Sequence, residues 1–246
     1  NPEFGSVLSE AGSAYTWAGN AHEYRLTPWH NDPVCDPSGE TIHLRDEETG
    51  VVWSPTGVVA GTDGGPGRSS IARHGFGYSS YEQSAQGIHS ELRVFVSIDA
   101  PVKFSVLRFR NDSGRARRVS ANGYVEWVLG SLRSHTAPHV VTDHAEDGPA
   151  TARNAYSGDH AEYMAFFDVD ADCQAAGSMT CDRTEFIGRN GNMHEPMALR
   201  RAALSGRFGA AMDPCAAFLV PVELADGETR TVVFRLGMGR HPDEAM

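Results

Sequence analysis

Period-two alternation of apolar and polar residues recurs along this chain far more often than helical spacing. In ELRVFVSID (91–99), Leu92, Val94, Val96 and Ile98 share one face, and Glu91, Arg93, Ser97 and Asp99 fall mostly on the other. VSANGYVEWVL (119–129) sets Val119, Ala121, Gly123, Val125, Trp127 and Leu129 together, and RTVVFRL (230–236) does the same with Val232, Phe234 and Leu236. Further strands are expected over 41–46, 51–54, 73–84, 102–111, 161–169 and 216–224. Short glycine-bearing connections separate them: DEETG (46–50), NDSGR (111–115) and LADGE (224–228) read as turns of antiparallel hairpins. GTDGGPGRSS (61–70) reads as a surface loop, and the stretch around 193–205 offers one helix, from Pro196 to Gly206. No fixed-period repeat and no linker divides the chain. The pattern predicts a single all-β domain over 1–246, two antiparallel sheets packed face to face.

Composition narrows the function. With 246 residues, 40% of them hydrophobic, the chain can bury a sizeable core, and 26 glycines with 13 prolines suit a turn-rich fold. A formal charge of -11 argues against nucleic acid, whose phosphates need a cationic face. No apolar run approaches the roughly 18 residues of a membrane helix, so direct membrane insertion is not expected. The chain opens at Asn1 without an initiator Met or a signal-peptide pattern, which reads as a piece of a longer polypeptide. Cys35, Cys173, Cys181 and Cys215 form no CxxC and read as scattered reduced thiols of a cytoplasmic protein, with a Cys173–Cys181 bridge as the alternative.

Candidate chemistry is sparse. HTAPHVVTDH (135–144) gathers His135, His139, Asp143 and His144, ligand types for zinc, but Pro138 and the β-branched Val140, Val141 and Thr142 oppose the helix that would align them. Exposed loop histidines are the expectation there, with no metal and no cofactor. Glu126 in YVEWVLG stands out on a strand, and a sheet residue paired with an arginine is its simplest role. RARR (115–118) reads as a solvated strand edge. The chain has no GxSxG elbow, no P-loop and no GxGxxG, so no catalytic residue declares itself.

The segment YTWAGNAHEYRLTPWHNDPVCDPSGE (15–40) is the informative one. Tyr15, Trp17, Tyr24 and Trp29 stand among Asn20, Arg25, Asn31 and Asp32, interrupted by glycines and prolines. Ring faces cover the C–H patches of sugars while amides and guanidinium groups bond their hydroxyls. The same composition suits a domain interface or a loop plugging one end of the sandwich, and residue types alone do not separate these readings.

Residues 1–56 resemble the amino-terminal β-sandwich of the glycoside phosphorylase family that includes cellobiose, chitobiose and 1,2-β-oligoglucan phosphorylases. They are most similar to the version at the carboxy-terminal end of cyclic β-1,2-glucan synthases. The likeness continues through RHGFGYSSYE (73–82), YVEWVLG (124–130), TARNAYS (151–157), TEFIGRNG (184–191), ALRRAALSGRFGAAMDPCAAF (198–218) and VELADGETRTVVFRLG (222–237). Ala14, AHEY (21–24), His30 and ARNAYS (152–157) depart from the family pattern. The resemblance implies an antiparallel two-sheet supersandwich with at most one or two short helices. It implies that the Asp general acid and the phosphate site of inverting phosphorolysis belong to an (α/α)6 barrel beyond Met246, so no catalytic role falls on this chain. What it leaves here is a substrate-binding or domain-interface edge of Tyr15, Trp17, Asn20, Arg25, Trp29, Asn31 and Asp32, backed by Arg153, Asn154 and Tyr156. The expected partners are β-1,2-glucan or an oligoglucan together with that barrel, and a second copy of the chain in a homodimer. The expected place is the cytoplasmic face, with a parent anchored in the inner membrane. An autonomous carbohydrate-binding module and a dimerisation domain are the alternatives.

Overall fold

The computed structural model describes residues 1–32, 34–56, 70–145, 148–171 and 177–240. Two antiparallel strands open the chain, β1 (Phe4–Leu8) and β2 (Ala14–Ala18). There follow β3 (Glu40–Asp46), β4 (Val52–Trp53), β5 (Ile71–Gly75), β6 (Tyr78–Ala85), β7 (Ile88–Val96), β8 (Val102–Asn111) and β9 (Arg117–Glu126). Beyond the short helix α1 (Arg133–Thr136) come β10 (Val140–His144), β11 (Ala150–Asn154), β12 (Met164–Ala171) and β13 (Ser178–Asp182). Helix α2 (Arg183–Ile187), β14 (Pro214–Leu224) and β15 (Thr229–Gly239) complete the order. An eight-stranded sheet runs β10-β11-β12-β15-β8-β7-β6-β5 and a five-stranded sheet runs β13-β14-β9-β3-β4, every pairing antiparallel. The expected two-sheet all-β architecture is what the chain forms.

Alternation sets the core as the sequence predicts. Leu92 pairs with Leu107 and Leu107 with Val232, all three buried in the face that meets the smaller sheet. Val119, Ala121, Val125 and Trp127 answer them from β9 and its end. Gly123 lies among these apolar residues because a Cβ there would sit 2.5 Å from the Phe234 ring, so the missing side chain admits Phe234 across the sandwich. Ile98 departs from the pattern: β7 ends at Val96, and Ile98 is 80% exposed in the turn that follows.

The second face of β9 is buried as well. Tyr124 stacks on Phe186 of α2 with ring centroids 4.6 Å apart, and Ala198, Leu204, Cys215 and Leu219 close a second apolar cluster around them. The helix expected from Pro196 to Gly206 is instead a single 3-10 turn, Met197–Arg200, and residues 201–213 pass without regular structure. Ala198 of this turn and Leu204 beyond it join this cluster, so the apolar spacing here records burial against β9 and not a long helix.

Two of the three predicted hairpins are crossovers. NDSGR carries the chain from β8 in the larger sheet to β9 in the smaller, and LADGE carries it back from β14 to β15. Asn111 sews the two turns together: its Nδ2 donates to Arg115 O (2.7 Å), Leu224 O (3.2 Å) and Ala225 O (3.1 Å). DEETG does form the β3–β4 hairpin, whereas 73–84 divides at Phe76–Gly77 into β5 and β6. The glycine-rich loop lies almost wholly outside the described residues, as does Cys173; Cys181 is a free, buried thiol. Among the described residues, no helix is long and apolar enough to cross a membrane.

Candidate functional site

The β1–β2 hairpin stands on a buried ion pair. Thr16 and Ala18 point inward and are fully buried, so alternation turns Tyr15 and Trp17 to the other face. Beneath, Lys103 of β8 is 3% exposed and pairs with Glu40 of β3. Its Nζ also donates to Thr16 Oγ1 at 2.7 Å. The second Glu40 oxygen accepts from Thr16 Oγ1 (2.7 Å) and Thr27 Oγ1 (2.6 Å), so hairpin, following loop and both sheets meet at one carboxylate. Burial pulls the Lys103 pKa below its usual range, and the Glu40 carboxylate opposes that pull. Lys103 is a residue the strand pattern did not single out; its signal in VKFSVLRFR is a charge at an inward-facing register position, alternating with Ser105 and Leu107.

Above this base the rings gather. Tyr15 lies 5.2 Å from Trp17 and 4.8 Å from Trp29, centroid to centroid. Trp29 is 44% exposed, as are parts of Tyr15 and Trp17, so neither early indole is sealed between the sheets; Trp53 and Trp127 are the core indoles. Trp29, His30, Asn31 and Asp32 line a cleft of about 180 Å³ with Ser9 and Asp36. Asp32 holds its loop by accepting from Cys35 N (3.2 Å) and Val34 N (3.0 Å), and these N–H groups keep its carboxyl below the ordinary range.

The remaining expected residues are largely architectural. Asn20 Oδ1 accepts from the backbone N–H of His22 (2.8 Å) and Glu23 (3.0 Å), forming the turn after β2. Arg25 donates from Nε to Ala21 O (3.0 Å) and from a terminal nitrogen to Ser131 O (3.1 Å), while its backbone bridges Gly130. Asn154 is 2% exposed: Nδ2 donates to Leu129 O (3.0 Å) and Oδ1 accepts from Tyr156 N (3.0 Å). These bonds bring segments 20–32, 129–136 and 154–163 to one end of the sandwich, where buried Tyr24 stacks on His160 at 4.5 Å. Arg153 is exposed, and Tyr156, 79% exposed, sits against His139 at 4.7 Å. The structure thus joins Tyr15, Trp17, Trp29, Asn31 and Asp32 in a ring-bearing rim, with Arg25 and Asn154 as its struts.

Other polar candidates resolve into scaffold. Glu126 is 8% exposed and pairs with two arginines, Arg133 Nε at 2.6 Å and Arg183 Nε at 2.8 Å; Asp213 bonds both arginines in turn. Burial works against the Arg183 charge, yet Glu126, Tyr124 and Asp213 together push its pKa up. This network fixes α1, α2 and the start of β14. His135 sits in α1, while His144 packs beside Phe208 and Phe218. Among the described residues, no three His, Cys, Asp or Glu side chains are placed to hold a metal ion.

Comparison with known proteins follows the same lines. Residues 1–246 match the Glycosyl hydrolase 94, supersandwich domain. The chain is 36% identical to the cyclic beta-(1,2)-glucan synthase NdvB of Rhizobium meliloti (strain 1021), over 99% of this chain and 8% of that protein. It is 22% identical to the N,N'-diacetylchitobiose phosphorylase of Vibrio proteolyticus, over 99% of this chain and 31% of that protein. It therefore spans a minor part of these relatives' lengths. Among solved structures, a polysaccharide lyase superposes with a TM-score of 0.56 at 8% identity, over 100% of this chain and 33% of that one, a likeness of fold. With the match running from the first residue to the last, this chain belongs to the glycosyl hydrolase 94 supersandwich domain family.

Proposed function

We propose that this chain is a non-catalytic domain of a glucan-acting enzyme, supporting and partly lining a site that a neighbouring (α/α)6 barrel completes. The carrying observation is the rim: Tyr15 in contact with both Trp17 and Trp29, the latter at 44% exposure, on a hairpin founded on the buried Lys103–Glu40 pair. Ordering rings on a rigid base lowers the entropy lost when a partner covers them. The glucan we assign is β-1,2-linked, because the relative at 36% identity is named a cyclic beta-(1,2)-glucan synthase. We place the domain on the cytoplasmic face, a reading supported by three free cysteines at Cys35, Cys181 and Cys215.

The test is reconstitution. The chain alone, given β-1,2-glucan and phosphate, releases no glucose 1-phosphate. Mixed with a separately expressed (α/α)6 barrel from a family member, it forms a complex in sedimentation velocity that Trp29→Ala weakens. Phosphorolysis by the chain alone, or a complex indifferent to that substitution, overturns the reading. A carbohydrate-binding module is the second reading, favoured by the open cleft at Trp29, Asn31 and Asp32.

A further inference from the structure

A second feature lies apart from the rim cleft. Between β1 and the turns at 75–78 and 96–99 runs an open groove of about 1040 Å³. β1 borders it, and among the described residues β1 pairs with β2 alone, so its other edge has no strand partner there. Two rings lining this groove share one unusual placement. Trp17 lies flat across Gly5, its cross-strand partner, so closely that a Cβ on Gly5 would come within 2.2 Å of the indole. Tyr78 lies flat across its own partner Gly75, where a Cβ would come within 2.4 Å of the phenol ring. A ring laid on a glycine presents its face, not its edge, to whatever lies above. Phe76, wholly exposed at the β5–β6 turn, adds a third ring to the same groove.

We propose that this groove is a binding site for a neutral β-linked glucan chain, adjoining the rim at Trp17 but distinct from the Trp29 cleft, and resting on the reading that the parent enzyme acts on glucan. Flat aromatic platforms match the C–H faces of pyranose rings, and the unpaired edge of β1 supplies backbone donors and acceptors for hydroxyls. Charge argues against an anionic ligand. Arg93 is engaged by Glu91 at 3.0 Å while its guanidinium lies 5.9 Å from the centre of the Tyr78 ring, and Lys103 is engaged by Glu40. His74 bonds Ser79 at 2.8 Å. The volume suits several sugar units, since ligand clefts run to roughly 300–1,000 Å³. In this role the domain would hold a growing or shortening glucan outside the catalytic pocket.

Isothermal titration of the 246-residue chain with sophoropentaose tests it. The expected result is saturable binding, weakened at least tenfold by Tyr78→Ala and by Phe76→Ala with the circular dichroism spectrum unchanged. Tyr78→Phe, which keeps the platform, restores binding. No saturable heat, or binding unaltered by both alanine variants, overturns the proposal. Binding lost on Trp29→Ala yet kept in Tyr78→Ala moves the sugar to the rim cleft and also overturns it, leaving the docking role of the rim intact. Conversely, a groove that binds sugar while the barrel fails to dock would sink the rim reading alone.

Discussion

Removing Lys103 should undermine the rim without touching it. Lys103→Met fills about the same volume but leaves Glu40, at the edge of burial beneath Thr16 and Thr27, as a carboxylate without its cation. Breaking a buried pair from one side costs about 3–5 kcal/mol, because the surviving charge stays desolvated. Replacing both partners, Lys103→Met with Glu40→Gln, removes that charge and keeps an acceptor for the two threonine hydroxyls. The double variant should therefore lose only about 1–2 kcal/mol. Urea unfolding of wild type, both single variants and the double variant closes the cycle, with a coupling energy of about 2 kcal/mol or more expected. A loss under about 1 kcal/mol for Lys103→Met, or additive single and double losses, would refute the claim that the pair founds the hairpin.

Acid should loosen the cover over β9. His43 is fully buried against Phe186, donates from Nε2 to Met193 O (3.2 Å), and leaves Nδ1 without a partner. Burial lowers its pKa from 6.5 to about 4, so the unfolded chain takes up the proton first. The neutral ring's contribution is complete above pH 6.5 and is lost as pH falls toward 4, reaching about 2 kcal/mol by pH 5. Urea midpoints at pH 7 and pH 5 should show this extra loss in wild type and not in His43→Gln; equal slopes would contradict it. Trp127→Ala should cost about 3–5 kcal/mol, its ring being fully buried, whereas Trp29→Ala should cost under about 1 kcal/mol in the isolated chain. Thermal unfolding compares them, and equal large losses would return Trp29 to the core.

The core was readable because period two is a local property: Leu92, Val94, Val232 and Phe234 fall inward as their spacing says. Sheet membership was not. NDSGR and LADGE carry ordinary turn chemistry, and whether a turn returns to its own sheet or crosses depends on partners far off in sequence, such as Asn111 with Leu224. The strands at Phe4–Leu8, Val140–His144 and Ala150–Asn154 were missed because they are short and half polar. At the site, the aromatic grouping was visible in 15–40, but the separation of faces was not. Arg25 and Asn154 look like ligand-binding types until their donors are seen to meet Ser131 O and Leu129 O.

Acrylamide quenching of Trp29 fluorescence, with Trp17 replaced by Phe, reads the rim directly. Trp29 is half open in the chain alone and should be readily quenched. Adding an (α/α)6 barrel domain from the family should cut the quenching constant severalfold, in step with complex formation. Unchanged quenching in a complex shown by sedimentation to have formed would mean that the barrel docks elsewhere, and that these rings are not the surface it covers.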